Sequence, residues 1–336
     1  MISPLFIYIS FIAINVVTVT GAPAGAGRWK KLADLPTSTA ANLTGRGIGL
    51  MAGGVVDGKI YLVGGQEGSR RGDVYGTKAT RIFSPTTNSW GYGKDAPDAR
   101  ERAASVVVND NLYIIGGAKA GDELISYSNT WSYTPATDTW KELASLPDRY
   151  YDAAACSVNE TIYVFGGFPS NSDVPIPYNT TLAYSIKSDT WSQEQPLPAP
   201  LAETACVSVG TDIYLFGGVQ YIDEQYVHSD QIHIYDTVKK TWSKSGSTPK
   251  STRAFAVALV QDRVYLVSAE SNQLLAYDLK KKRWVSGYPK IPGHPRVAPS
   301  VVSVRDVLYV IGGQVDLYTD KEYIYLYSND TLALEV

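Results

Sequence analysis

Four ionisable side chains recur at one place in a repeating chain: Arg102, Asp152, Glu203 and Arg253 stand 50, 51 and 50 residues apart. Two bases and two acids brought together have two uses. They can cancel one another as a ring of ion pairs, or they can grip a carboxylate, hydroxyl or carbonyl group and pass a proton to or from it. Both readings stay open from sequence, and these four are the candidate catalytic residues. Arg46, Arg100, Arg149, Tyr150, Tyr151, His294 and Arg296 are expected nearby. The candidate ligand-binding set is Tyr151, Tyr178, Tyr226, His228 and Arg296, with the tyrosines forming an apolar wall.

These positions are found by counting back from a phrase that the chain repeats. Lys59–Gly65, Leu112–Gly117, Ile162–Gly167, Ile213–Gly218 and Leu308–Gly313 each run from β-branched and aromatic residues into Gly-Gly. A sixth copy, Val264–Val267, ends in Ser268-Ala269. Steps between the first small residues are 52, 50, 51, 51 and 44 residues. A period of this size, with a short doubly buried strand in each copy, predicts one propeller blade per repeat. Paired glycines let another backbone approach.

A second signal keeps the same time. Phe83, Tyr133, Tyr184, Tyr235 and Tyr277 each precede a tryptophan (Trp90, Trp140, Trp191, Trp242, Trp284) by seven residues, with turn sequences between. An apolar run such as Ala103–Val108 leads into each diglycine phrase, so four strands per repeat are expected. These marks together resemble the kelch repeat, over roughly residues 28 to 327. The resemblance implies an all-β, six-bladed propeller of four-stranded blades, one domain over 28–336. Trp29–Pro36 matches Trp140–Pro147 at six of eight positions, whereas the last repeat has Leu334 seven residues past Tyr327. The Trp29 strand is therefore expected to complete the sixth blade; the alternative is that Thr331–Val336 does so. Closure removes two unpaired sheet edges.

Residues 1–21 read as a secretory signal peptide, with cleavage as late as residue 26, although a basic residue near the start is missing. The uncharged stretch is shorter than the ~20 residues of a membrane span, which weighs against an uncleaved anchor. Asn42, Asn159, Asn179 and Asn329 begin glycan sequons, so a secreted glycoprotein is expected. A net charge of -3 argues against nucleic acid, and the basic run Lys280–Arg283 fits a solvated turn. No membrane contact is expected after signal removal, and the chain is expected to be a monomer. Cys156 and Cys206, read as equivalent positions on neighbouring blades, are expected as buried free thiols, because packed sheets lie ~10 Å apart.

Neither metal nor cofactor is expected. Copper radical oxidases and plant specifier proteins also carry kelch repeats, but their ligand patterns are missing here, as are P-loop and dinucleotide fingerprints. The main expectation is a small organic ligand in the loop-lined mouth of the axial channel. The overall form is similar to fungal secreted kelch-type proteins, some of which are cofactor-free hetero-Diels–Alderases. Such a cyclase needs confinement rather than a nucleophile. Alternatives are a non-catalytic extracellular scaffold for protein or glycan, and a sugar epimerase resembling kelch-type sialic-acid epimerases.

Overall fold

The repeated phrase forms the second strand of every blade. In the computed structural model, which describes residues 27–37, 47–68, 74–119, 125–169, 174–249, 256–268, 271–318 and 323–336, six antiparallel four-stranded sheets are found. Blade 1 holds Ala52–Val56, Lys59–Val63, Thr80–Ser84 and Ser89–Gly93; blade 2 holds Ala104–Val108, Asn111–Ile115, Thr130–Thr134 and Thr139–Leu143. Blade 3 is Ala154–Val158, Thr161–Phe165, Thr181–Ser185 and Thr190–Gln193, and blade 4 is Ala205–Val209, Asp212–Phe216, Gln231–Asp236 and Thr241–Ser247. Blade 5 is Ala256–Val260, Arg263–Val267, Leu274–Asp278 and Arg283–Val285. Blade 6 takes Ser300–Val304, Val307–Ile311 and Thr331–Glu335 from the end of the chain and Lys30–Lys31 from its start. The first strands neighbour one another in order, and that of blade 6 adjoins that of blade 1.

Second strands are apolar and buried after their first residue because each is covered by a blade on either side: Ile60, Leu62, Leu112, Ile162, Ile213, Val264 and Leu308 are all buried. Fourth strands alternate instead, with the tryptophan half-buried and its neighbours exposed in blades 1 to 4. The diglycines do what their spacing implied. A Cβ on Gly64, Gly116, Gly166 or Gly312 would lie 2.1, 2.5, 1.9 or 2.3 Å from a carbonyl oxygen of the next blade. Those carbonyls, on Arg100, Tyr150, Leu201 and Ile48, accept the N–H of the second glycine at 2.7–2.8 Å. In blade 5 Ser268 stands at the first site, and Ala269 lies outside the described residues.

Farther out, each tryptophan indole donates to a backbone carbonyl of the preceding blade's exit. Trp90, Trp140, Trp191, Trp242 and Trp284 bond to Ala33, Lys94, Ala144, Gln195 and Ser247 at 2.7–3.0 Å. Trp29 makes the same bond to Pro289 at 2.9 Å, so the N-terminal strand closes the ring with the device used everywhere else.

The sixth blade departs from expectation in one respect. Its third strand is Thr331–Glu335, not the Tyr327 segment, which pairs instead with Gln314–Tyr318 in a separate hairpin. Leu308 faces Leu334, as Leu112 faces Tyr133, so Leu334 holds the aromatic position. Lys30 faces Ala333, and one step along that register brings Trp29 opposite Leu334. The long hairpin displaced the aromatic-to-tryptophan count.

The cysteines also correct the sequence reading: Cys156 and Cys206 form a disulfide, Cα atoms 6.2 Å apart. They are not equivalent. Cys156 faces Tyr163 whereas Cys206 faces Leu215, one residue out of step between the two blades. Because strand side chains alternate faces, that offset turns the two sulfurs toward each other. The ~10 Å spacing of broad sheets does not hold where first strands converge on the axis.

Two outcomes are expected. Deleting residues 28–36 strips the outer strand from blade 6 and the indole bond to Pro289, giving aggregated or unfolded protein by size exclusion. An unchanged melting temperature would show that the strand is dispensable. Reducing the disulfide, or replacing both cysteines by serine, releases a closed loop with a sequence separation of 50. This costs on the order of 4 kcal/mol and lowers the melting temperature by roughly 10 °C.

Candidate functional site

At the top of the channel, five of the six first strands are entered through a described residue in the left-handed region. Leu50, Arg102, Asp152, Glu203 and Ala298 have φ of 60, 54, 52, 50 and 44°. None is glycine, so each carries a backbone strain of roughly 1–2 kcal/mol. The conformation lets neighbouring blades bond across the axis. Arg102 N–H donates to Leu50 O (3.1 Å), Asp152 to Arg102 (3.0 Å), Glu203 to Asp152 (2.9 Å) and Leu50 to Ala298 (3.3 Å). Five of the six positions counted from the diglycines are thus linked by main-chain bonds around the mouth. Arg253, the sixth, lies outside the described residues, as does Arg46.

The ring's side chains are unequal. Leu50 is buried and apolar, whereas blades 2 to 4 carry charge. Arg102 Nη1 binds Asp152 Oδ2 at 2.7 Å, with side-chain exposures of 30% and 13%. This pair raises the arginine's pKa above its ordinary range, Asp152 being the main cause. Sequence counting missed the residue one step earlier, Glu101. Its Oε1 lies 3.8 Å from Arg102 Nε, and its carboxyl is 4% exposed. Burial, with Asp152 adding to it and Arg102 opposing, pushes Glu101 up to about 7. Oε2 of Glu101 and Nε of Arg102 are buried without a hydrogen-bond partner.

Beside the charges runs a row of rings. Tyr151 packs on Phe168 (centroids 5.4 Å apart), Phe168 on Tyr226 (6.1 Å) and Tyr226 on Tyr221 (5.2 Å). Ala118, Ala202 and Val219 complete a buried apolar cluster with Tyr151 and Phe168. The row begins buried at Tyr151 and reaches solvent at Tyr226, 38% exposed, whose hydroxyl donates to Pro175 O in the neighbouring loop. The Tyr151 hydroxyl is raised by burial and then by Asp152; that of Tyr226 by burial, Tyr221 and Glu203. Both tyrosines therefore share the mouth with Glu203. Val174, Ile176, Ile222 and Val227 extend the exposed apolar surface. Phe168, absent from the sequence-derived set, owes its place to the position just after a diglycine, where a bridge to Tyr151 fixes it.

Other candidates lie elsewhere. Tyr178 leaves the wall: its ring packs on Tyr150 at 4.7 Å and its hydroxyl donates to Asp148 Oδ2 at 2.7 Å. Arg296 is buried, with Nη2 2.6 Å from Asp330 Oδ2 and 3.1 Å from Pro292 O, so its guanidinium braces blade 6. Arg100 is its counterpart in blade 2, sandwiched by Trp131 (3.6 Å to the centroid) and Tyr127, and burial pulls it down to about 10. His228 ends the Gln225–His228 strand opposite Val219. Arg149 and His294 are exposed, and Tyr150 is buried. Below the ring, a cavity of about 270 Å³ is lined by small residues, among them Gly53, Ala104, Ala154, Ala205 and Ser300.

A family model described as the KLHDC2/KLHL20/DRC7 Kelch-repeats domain matches residues 144–313, and the Kelch motif matches 99–147. Curated relatives include Beta-scruin of Limulus polyphemus, 25% identical over 76% of this chain and 24% of its own. Kelch repeat protein M-T8 of Myxoma virus is 27% identical over 79% of this chain and 40% of its own. Kelch-like protein terF of Aspergillus terreus is 27% identical over 40% and 32%. The chain spans less than half the length of these relatives. The matched repeats coincide with blades whose diglycines, tryptophans and four-stranded sheets are described above, and the chain belongs to the kelch-repeat family.

Proposed function

We propose that this kelch propeller is a secreted binding protein that holds a small organic ligand across the mouth of its channel, on blades 2 to 4. The ligand's apolar body rests on the Tyr151–Phe168–Tyr226 row, and its polar end meets Arg102, Asp152 and Glu203. The observation that carries this reading is the juxtaposition itself: a row of rings emerges from burial into solvent beside charges held by backbone bonds. A rigid frame presenting loops of this kind is a common basis for binding sites. Confinement on the same wall is what a cofactor-free cyclisation would use. The disulfide supports secretion, since cytosolic thiol pools keep such bonds reduced. Asn159 and Asn179, both exposed, carry the glycans in this reading.

The ion pair and the wall separate under mutation. Arg102→Ala leaves a largely buried Asp152 carboxylate without its partner and lowers stability by on the order of 2 kcal/mol. Tyr226→Ala and Glu203→Gln are expected to keep the melting temperature within about 2 °C. They should cut retention of small molecules from a host extract, read by mass spectrometry, roughly tenfold, or about 1.4 kcal/mol. Intact retention with a collapsed melting temperature would make the mouth a structural device.

A further inference from the structure

We propose that the mouth binds an organic ammonium ion and that binding releases a proton from Glu101 to solvent. This rests on the binding reading above and adds the ligand's chemical class. The described charges at the mouth are mostly acidic. Among the described residues at the mouth positions and those just before them, three carboxylates, Glu101, Asp152 and Glu203, stand against one guanidinium, that of Arg102. The rings beside them are suited to a cation with an apolar body, since aromatic faces attract cations within about 6 Å.

Glu101 is the acid that the fold does not require. Its counterparts in the other described blades are Gly49, Tyr151, Ala202 and Val297, and none is charged. All five pair with the residue just after their diglycine (Gln66, Ala118, Phe168, Val219 and Gln314), so the backbone contact is indifferent to the side chain. A carboxyl has nevertheless been placed where it is almost fully buried, with Oε2 unpartnered and Arg102 3.8 Å from Oε1. Ionised, it is disfavoured by desolvation; protonated, it loses its attraction to Arg102. A cation arriving at the mouth tips that balance toward the ionised form. The groups facing Glu101 are Arg102 and Asp152, with Glu203 and Tyr151 beyond them.

The linkage has a definite sign. Burial raises the folded Glu101 to about 7. A bound cation lowers it, so affinity climbs with pH below about 7, by at most tenfold per unit, and levels above. The probes are benzyltrimethylammonium, whose charge is fixed, and benzoate, followed by calorimetry from pH 5.5 to 8.5. Wild type is expected to bind the ammonium in preference to benzoate, with that rising profile. Glu101→Gln should flatten the profile, while Glu142→Gln, on the exposed outer strand of blade 2, should leave it intact. Tyr226→Ala should weaken the ammonium at every pH. As a check on folding, Glu101→Gln should gain melting temperature over wild type at pH 8 but not at pH 5. The reason is that a raised folded pKa contributes stability below the unfolded value and loses it on passing the folded one. A preference for benzoate, a flat wild-type profile or a slope retained by Glu101→Gln overturns the inference. If Tyr226→Ala still abolishes binding in such a case, the binding reading stands alone. If Tyr226→Ala changes nothing, both fail.

Discussion

The seam between adjacent blades is the constraint on which the rest of the molecule depends. It is sewn with main-chain carbonyls at three distances from the axis. Between blades 2 and 3, Asp152 N–H bonds to Arg102 O, Gly117 N–H to Tyr150 O and the Trp191 indole to Ala144 O. Between blades 6 and 1 the same three bonds come from Leu50, Gly313 and Trp90. The middle bond dictates the diglycine, because a Cβ on the first glycine would overlap the incoming carbonyl. Propeller blades otherwise meet through apolar side chains, which fix area but not direction. The carbonyl bonds supply the direction.

A seam built from backbone leaves side chains at the mouth free to differ. Leu50, Arg102, Asp152, Glu203 and Ala298 share one conformation and almost nothing else. Strain at these residues is offset by the bonds they make, whatever their side chains. Arg102 and Asp152 then pair because successive seams place them side by side, not because either is needed for closure. The disulfide adds a covalent tie between blades 3 and 4, the pair of blades whose loops also meet through Tyr226 and Pro175.

This division explains what could be read from sequence. The diglycine and the tryptophan each occupy a fixed place in a long period, so blade number, strand count and the Trp29 closure followed from spacing. Single-residue offsets did not. The cysteines differ by one position in their strands, and period-two alternation converts that into opposite faces. The hairpin Gln314–Tyr318 and Tyr323–Tyr327 lengthened the last repeat and shifted its aromatic to Leu334. Tyr178 and Arg296 lie near the expected end of their blades, yet their polar ends are taken by Asp148 and Asp330, which no spacing rule reveals.

The mouth is therefore best described by residue pairs: the left-handed residue and the one before it. Around the described ring these read Gly49-Leu50, Glu101-Arg102, Tyr151-Asp152, Ala202-Glu203 and Val297-Ala298. Blades 1 and 6 contribute nothing that ionises, while blades 2, 3 and 4 contribute every described charge and the buried end of the aromatic row. In the proposed binding mode, a ligand centred on the axis would meet uncharged side chains at two of the five described positions, Leu50 and Ala298. A ligand displaced toward blade 3 would, in the proposed mode, meet Arg102 and Glu101 on one side, Glu203 on the other, and the row from Tyr151 to Tyr226. The backbone contacts repeat around the described mouth, and its charge and aromatic character are lopsided because only the side chains were free to vary.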